Sequence, residues 1–237
     1  MTTTVSRLDA ELALHELPHV ILEGVTDKTI LEEAYRKLRP GSEPFCEFLY
    51  ADGATNIPPY LKSANLLSKE IAYPIVGLFD RDQEGRKQLK LLKLCEQVDS
   101  TEFYRISTER SLFAGLLAMP ASLSVVEENL KQAMGEEITL PIPIEFMFPS
   151  DIINRALVEG IIELEDRIAK ANDPELPTNV NVSNLFSAHL PEEYKYLARK
   201  VKQGTKTAFS SWVSDMPPES FSNFNAVFNQ IEQIIQG

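Results

Sequence analysis

Two apolar runs of the sequence end abruptly in carboxylates. One run is followed by Glu23 and Asp27, and the other by Asp80 and Asp82. Apolar runs of this length predict buried parallel strands, and in open α/β sheets ligands bind at the carboxyl ends of such strands. Acids that converge at one sheet edge repel one another unless a cation neutralises them. Because hard divalent ions prefer oxygen ligands, the pattern predicts a site for Mg²⁺ or Mn²⁺.

The predicted site could hold one or two ions. Asp80 and Asp82 project from the same side of one strand end by the period-two alternation of strands, and Glu23 and Asp27 flank a tight strand-to-helix turn. Two ions about 3.5–4 Å apart would activate water and stabilise the leaving oxygen in phosphodiester cleavage. Each acid also has an ordinary interpretation as a helix cap or a solvated loop residue, and Asp27 fits a helix cap as well as a metal ligand.

These residues resemble the Toprim domain, the metal-binding catalytic domain of type IA and type II topoisomerases, of primases and of the OLD-family nucleases. The resemblance lies in Glu-Gly-x-x-Asp at residues 23–27 and in Asp-x-Asp at residues 80–82, each after a predicted strand. Between them, the segment 50–56 is similar to the glycine-containing turn that follows the second Toprim strand. The resemblance covers residues 18–120.

A further pair of metal ligands is predicted at Ser107 and Glu109, after a predicted strand at 103–106. A Ser-x-Glu at this place resembles the OLD branch of the Toprim nucleases in particular. The same residues at the start of a helix also match a capping pattern, and both interpretations stay open at this stage.

The resemblance implies a divalent-metal-dependent nuclease that hydrolyses phosphodiester bonds of DNA or RNA. Glu23 would be a metal ligand and a general acid or base, and Asp80 and Asp82 would complete the catalytic acids. OLD-family nucleases usually carry an ATPase domain, and no P-loop motif occurs here. The resemblance therefore implies an effector of antiphage defence that works with a separate ATPase, and a homodimer is a further expected assembly. The alternative is a non-catalytic Toprim scaffold or metal-regulated interaction module.

Basic residues and glycines near these acids are the predicted nucleic-acid contacts. Arg81, Arg86 and Lys87 could follow a phosphate backbone. Gly24 and Gly53 would let the protein backbone approach a ligand closely. The competing interpretations are a solvated helix face for the basic residues and a simple turn for Gly53.

Phosphoryl transfer also needs a cation that stabilises the developing charge. Lys206 lies in the most basic stretch of the second half of the chain and is the predicted catalytic lysine. The competing interpretation is an ordinary solvated lysine, since lysine is rarely buried.

The composition is that of a soluble globular protein with an excess of acids. Of 237 residues, 43% are hydrophobic and 24% charged, and the formal net charge is −12. No apolar run approaches the roughly 20 residues that cross a bilayer, and Cys46 and Cys95 have no metal-ligand spacing. We therefore expect a cytoplasmic protein with reduced thiols and no membrane segment. The net charge opposes nucleic-acid binding unless a basic groove forms locally or a partner supplies the basic surface.

Apolar runs and amphipathic segments alternate in the first half of the chain. Strands are predicted at 19–22, 45–50, 75–79 and 103–106, and helices at 27–39, 56–71 and 83–96. This repetition predicts right-handed crossovers and an α/β fold with a mostly parallel sheet flanked by helices, which the resemblance assigns to the Toprim type. We predict a Toprim catalytic domain at 1–120 with a lead-in helix at 5–16, and an α-rich accessory region at 121–237.

Overall fold

The chain divides into two compact units in the computed structural model. The described residues are 17–66, 73–98, 101–107, 111–167 and 182–236. One unit comprises Met1–Ala118 together with Phe224–Gly237, and the other comprises Met119–Asn223. The predicted division at residue 120 assigned the last segment to the accessory region, whereas contacts place it with the sheet. The predicted lead-in helix lies outside the described residues.

The first unit is built on a mixed sheet of six strands. The strands are β1 (His19–Leu22), β2 (Glu47–Tyr50), β3 (Ile75–Phe79), β4 (Glu96–Gln97), β5 (Phe103–Arg105) and β6 (Leu112–Leu116). They lie in the order β2-β1-β3-β6-β5-β4. The first four strands in this order run parallel, and β5 runs antiparallel to both of its neighbours. The prediction of an α/β fold with a mostly parallel sheet is confirmed.

Burial on both faces explains why the central strands are apolar apart from His19. Every residue of β1, β3 and β6 is buried, as expected for a parallel sheet covered by helices on both sides. Two glycines permit the close packing. A Cβ on Gly77 would lie 2.7 Å from the side chain of Leu61, and one on Gly115 would lie 2.5 Å from Phe103. Larger side chains there would push a helix or a neighbouring strand away.

Helices cover both faces of this sheet. Among the described residues of both units, the α-helices are α1 (Val25–Leu38), α2 (Ile57–Leu66), α3 (Gln83–Lys90), α4 (Ala121–Met134), α5 (Ser150–Val158), α6 (Val182–Ser187), α7 (Lys206–Val213) and α8 (Phe224–Gln236). One apolar cluster joins α2 and α3 to the sheet. On α1 and α8, Tyr35 and Phe228 lie 5.5 Å apart between ring centroids, and Phe228 also contacts Phe48 of β2. No helix among the described residues is long and apolar enough to cross a membrane.

Two elements differ from their predictions. The helix predicted to reach residue 96 ends at Lys90, because the chain must turn back to pair β4 with β5. As a result Leu91, directly after the end of the helix, is 57% exposed. The short apolar stretch after residue 110 forms β6, a central strand that pairs with β3 along its whole length.

The second unit combines helices, 3₁₀ turns and a small ribbon. The ribbon pairs β7 (Leu164–Asp166) with β8 (Arg199–Val201) in antiparallel fashion. The core of the second unit is aromatic: the ring of Phe148 lies 5.5 Å from that of Phe209 and 5.2 Å from that of Phe221. These edge-on contacts are a favoured geometry for buried aromatic pairs. The predicted accessory region is therefore helix-rich, but it also contains strands.

Candidate metal centre at the carboxyl edge of the sheet

The order of the strands reverses between β1 and β3. From β1 the chain moves to β2 on one side, and it then crosses back to β3 on the other side of β1. In open α/β sheets, ligands bind in the crevice outside the carboxyl ends of the strands at such a reversal. Glu23 follows β1 and Asp80 follows β3. The structure therefore brings together two predicted site residues at the position where a ligand is expected.

Glu23 connects three strand ends. Its Oε1 accepts a hydrogen bond of 2.9 Å from the backbone N–H of Asp80, beyond β3. Its own backbone carbonyl accepts a bond of 2.6 Å from the N–H of Gly53, beyond β2. Glu23 is half-buried and Asp80 is 7% exposed. A backbone donor to an ionised carboxylate gives a stronger bond than one between neutral groups, so the position of Glu23 is well defined.

Asp27 forms the helix cap that its sequence position allowed. Its Oδ2 accepts a hydrogen bond of 2.8 Å from the backbone N–H of Gly24, the residue before α1. The carboxylate is 6% exposed and satisfies a donor that the helix leaves without a partner. A Cβ on Gly24 would meet no atom closer than 3.5 Å. Packing therefore does not require glycine there, and the predicted ligand contact of Gly24 stays a prediction.

Asp82 caps α3, the helix that follows β3. Its Oδ1 accepts a hydrogen bond of 2.8 Å from the N–H of Gly85 at the start of α3. Gly85 is required sterically, since a Cβ there would lie 2.1 Å from the backbone oxygen of Asp80. The first turn of α3 thus packs directly on the end of β3. The partial positive charge of the helix N-terminus also favours the carboxylate of Asp82.

Arg81 anchors the end of β3 to the neighbouring strand. Its Nε donates a hydrogen bond of 2.9 Å to the carbonyl of Leu117, beyond β6. Its Nη2 lies 2.5 Å from Oε2 of Glu102. Arg81 is only 4% exposed, so the prediction that it contacts phosphate is wrong for this conformation. Its physical role is to hold the backbone between Asp80 and Asp82 in place.

Because β5 is antiparallel to β6, Ser107 lies away from the carboxyl edge of the sheet, where Glu23 and Asp80 are. Phe103 pairs with Gly115 near the carboxyl end of β6, and Arg105 pairs with Phe113 further back. Ser107 follows β5 and therefore lies toward the opposite ends of the strands, on the order of 20 Å from Asp80 at about 3.3 Å per strand residue. The structure therefore does not bring Ser107 together with Glu23 and Asp80, and its predicted role as a metal ligand stays a prediction. Glu109 lies outside the described residues.

The predicted basic contacts of α3 form a helix surface. Lys87 is exposed, and its Nζ lies 3.6 Å from Oε2 of Glu84. Arg86 is half-buried on the same helix. A surface pair of this length constrains a lysine little. Lys87 could therefore exchange its partner for phosphate, whereas the solvated-face interpretation explains it equally well.

Lys206 lies in the second unit, at the start of α7. Its Nζ is 2.9 Å from Oε1 of Glu145, which is completely buried in the 3₁₀ helix Ile144–Met147. Lys206 thus neutralises a buried carboxylate, and its predicted catalytic role stays a prediction. The other basic residues of that stretch also pair with acids, as Arg199–Asp166, Lys200–Glu165 and Lys202–Glu163.

Two acids of the edge were not among the predicted site residues. Asp52 is exposed beyond β2, and its φ of 56° places it in the left-handed region. The Asp-Gly pair after a strand was a sequence signal for this turn. Glu102 reaches the edge through Arg81. No local signal indicated Glu102, because its position depends on the antiparallel direction of β5.

A separate concavity of about 420 Å³ lies far from these acids, beside the last turns of α1 and the segment that leads into β2. Tyr35, Phe45 and Phe48 form much of its wall. Arg39 at its rim already pairs with Glu232 at 2.9 Å. The concavity has the size of a ligand pocket, but its position at the amino ends of the strands and its paired rim make it the weaker candidate.

The carboxylate oxygens at the carboxyl edge of the sheet are suitable ligands for a hard divalent ion. Mg²⁺ is commonly bound by one or two carboxylates together with substrate phosphates and water, and Glu23 and Asp80 could supply such a pair. Within the described ranges, no group of three or more His, Cys, Asp or Glu side chains is arranged to hold a metal ion. An ion bound here would therefore take part of its coordination from water or substrate.

Comparison with known proteins adds no relative to this picture. No family model matches the chain, and searches of curated proteins and of solved structures found no match. The resemblance to the Toprim domain therefore stays a prediction, which depends on the acid motifs and on their position at the strand reversal.

Proposed function

We propose that this chain is a divalent-metal-dependent nuclease of the Toprim type, which hydrolyses phosphodiester bonds of DNA or RNA. The observation that carries the proposal is the contact between Glu23 and the backbone of Asp80 at the strand reversal. Two acids that are distant in sequence meet at the place where α/β sheets bind ligands.

In this proposal Glu23 and Asp80 hold Mg²⁺ or Mn²⁺, and the bound ion supplies charge stabilisation and an activated water. A carboxylate has about four lone-pair sites, so Glu23 can keep its bond to the Asp80 N–H and still accept a ligand or a proton. Asp27 and Asp82 each bind one helix N-terminus. They contribute negative charge to the edge and fix the helices that flank it.

The charge of the chain bears on its partners. The net charge is −12, and Arg81 and the basic residues of β8 are paired with acids. We therefore propose that a partner, such as a separate ATPase or a second copy of the chain, contributes to nucleic-acid binding. The antiphage context and the cytoplasmic location belong to the same proposal and are supported by the family resemblance alone.

Metal binding is the first test, because it needs neither substrate nor partner. We expect Mn²⁺ to bind the wild-type protein in calorimetry and to show no measurable binding to Glu23→Gln or Asp80→Asn. The matched control is Glu136→Gln, which changes an exposed acid of the second unit and should bind like wild type. Equal binding by all four proteins would place the ion elsewhere and overturn the assignment of Glu23 and Asp80.

Cleavage assays then test the reaction. Wild-type protein should cleave single-stranded DNA, duplex DNA or structured RNA in Mn²⁺ and not in excess chelator, and Glu23→Gln should be inactive on the same substrate. If the isolated protein is silent, the assay is repeated with the ATPase partner recovered from cells.

A non-catalytic Toprim scaffold is the second candidate. It is favoured by the absence of a three-ligand metal group from the described residues and by the capping roles of Asp27 and Asp82. A scaffold predicts that Glu23→Gln changes stability or partner binding, while wild-type protein shows no metal-dependent cleavage with its partner present. Metal-dependent cleavage that is lost in Glu23→Gln excludes it.

A further inference from the structure

The turn after β2 runs alongside the end of β1 and holds Glu23 by its backbone. The N–H of Ala51 donates a bond of 3.0 Å to the carbonyl of Leu22, and the N–H of Gly53 donates one of 2.6 Å to the carbonyl of Glu23. The backbone hydrogen bonding between β1 and β2 therefore continues past the end of β2 as far as Glu23, the candidate metal ligand. Any movement of this turn would move the backbone from which the Glu23 carboxylate projects.

The turn has a conformation that most residues avoid. Asp52 is the one non-glycine residue with positive φ, at 56°, in the part of the chain that the structure describes, and Gly53 follows with a φ of 124°. Left-handed backbone is unfavourable for a residue with a Cβ and persists where neighbouring contacts hold it. The contacts that hold Asp52 thus decide the geometry of the turn.

Asn56 supplies those contacts. Its Nδ2 donates hydrogen bonds of 2.8 Å to the carbonyl of Ala51 and 3.0 Å to the carbonyl of Asp52. Its backbone N–H donates a third bond, of 3.0 Å, to the carbonyl of Gly53. One asparagine therefore binds the carbonyls of all three residues of the turn. The next residue, Ile57, is fully buried at the start of α2, so this anchor rests on the core.

We propose that Asn56 is a positioning residue for the candidate metal centre. It fixes the turn at Asp52, the turn fixes the backbone of Glu23 through Gly53, and Glu23 thereby directs its carboxylate at the end of β3. The metal role of the site rests on the proposed function, whereas the mechanical link from Asn56 to the contact between Glu23 and Asp80 does not. Asn56 itself touches neither metal nor substrate.

The amide proton of Asp80 reports this link without any metal, because it is bonded to Glu23 Oε1. In metal-free protein, Asn56→Ala should shift the Asp80 amide resonance and speed its hydrogen exchange about tenfold, the factor expected for one weakened hydrogen bond. Asn65→Ala is the matched control, since Asn65 is exposed near the end of α2. It should leave the Asp80 amide unchanged.

A second substitution, Asp52→Gly, separates the effect of the backbone strain at Asp52 from the effect of its charge. Asp52→Gly removes the carboxylate and the cost of positive φ together, because glycine adopts that conformation readily. In the Asn56→Ala background it should restore most of the Asp80 amide protection, and it also makes that variant easier to fold. Failure of Asp52→Gly to restore protection in folded protein would contradict the proposed link through the turn.

Calorimetry with Mn²⁺ then separates the two proposals. If both hold, Asn56→Ala weakens binding about tenfold and Asp52→Gly restores it, which also shows that the Asp52 carboxylate is not a ligand. If wild type binds no Mn²⁺ but Asn56→Ala still alters the Asp80 amide, the positioning role stands and the metal site fails. An unchanged Asp80 amide in Asn56→Ala overturns the positioning role whatever the metal result.

Discussion

Glu23 in the first unit and Glu145 in the second are both withdrawn from solvent, but their charges are handled differently. Glu23 is half-buried at a strand end and accepts a backbone N–H. Glu145 is fully buried and lies 2.9 Å from the ammonium of Lys206. A backbone donor stabilises a carboxylate without cancelling its charge, whereas a lysine cancels it. The N–H of Asp80 therefore orients the Glu23 carboxylate, whereas the ammonium of Lys206 balances the charge of Glu145.

The comparison suggests how to separate site acids from structural acids in this chain. A structural acid has a partner that cancels its charge, as Glu145 does, or a capping bond that explains it, as for Asp27 and Asp82. The candidate site acid Glu23 instead lies at the end of one strand and contacts the end of a second strand that is distant in sequence. Stability and metal binding should therefore respond to different substitutions in the two units.

The largest expected effect is the loss of stability when Glu145 loses its partner Lys206. Lys206→Met removes the cation and leaves a buried carboxylate without its counter-charge, which should lower the free energy of unfolding by about 3 kcal/mol. Urea denaturation measures this. Lys200→Met, which breaks the exposed pair with Glu165, should change it by less than about 1 kcal/mol. Equal losses in the two variants would show that Glu145 does not depend on Lys206.

Metal addition should stabilise the first unit through Glu23. At a free Mn²⁺ concentration of about 100 times the dissociation constant, the free energy of unfolding should rise by about 2.7 kcal/mol. The increase should vanish in Glu23→Gln and persist in Glu145→Gln, provided that the latter variant folds. Thermal denaturation with and without Mn²⁺ provides the comparison. An increase in Glu23→Gln as large as in wild type would assign the ion to other ligands.

Asp82 tests whether a capping acid also serves the site. Asp82→Ala removes the cap of α3 and should cost about 1 kcal/mol of stability, while Asp82→Ser keeps a capping oxygen and should cost little. The serine variant still lacks the carboxylate. If Mn²⁺ affinity in Asp82→Ser equals that of wild type, Asp82 is a cap only. A marked loss of affinity at unchanged stability would make it a ligand as well.

The smallest expected effect concerns Glu33, a half-buried acid of α1. The hydrogen bond from Arg36 lowers the pKa of Glu33, with burial acting in the opposite direction. Because the folded-state pKa is lowered, Glu33 stabilises the protein above its unfolded-state pKa, and this contribution is lost as the pH falls through the folded-state pKa. Glu33→Gln should therefore cost about 0.3–0.5 kcal/mol at pH 7 and nothing in strong acid. A cost that persists in acid would point to packing instead of charge.

The parts of the site that could be predicted are those set by local pattern. Each acid motif follows a short apolar run that was predicted to be a buried strand and is one, so Glu23 and Asp80 were placed at strand ends correctly. The capping interpretation of Asp27 was equally visible and is realised. These features depend on a few consecutive residues, where side-chain spacing and backbone hydrogen bonding leave little choice.

The parts that differ from expectation depend on strand direction and on distant partners. The run that forms β5 has the same composition whether it runs parallel or antiparallel, and its direction decides that Ser107 lies toward the opposite ends of the strands. Arg81 looked like an exposed cation between two acids, but Leu117 and Glu102 enclose it. Neither partner is close to Arg81 in sequence.

The sequence by itself determined an α/β fold with carboxylates at the ends of two buried strands, because apolar runs and helix caps are local properties of the chain. Only the tertiary structure decided which strands are neighbours, and hence that Glu23 meets Asp80 while Ser107 does not. It also decided that Lys206 neutralises Glu145. Strand order and charge pairing are set by burial over the whole unit, in which residues far apart in sequence compete for the same few positions.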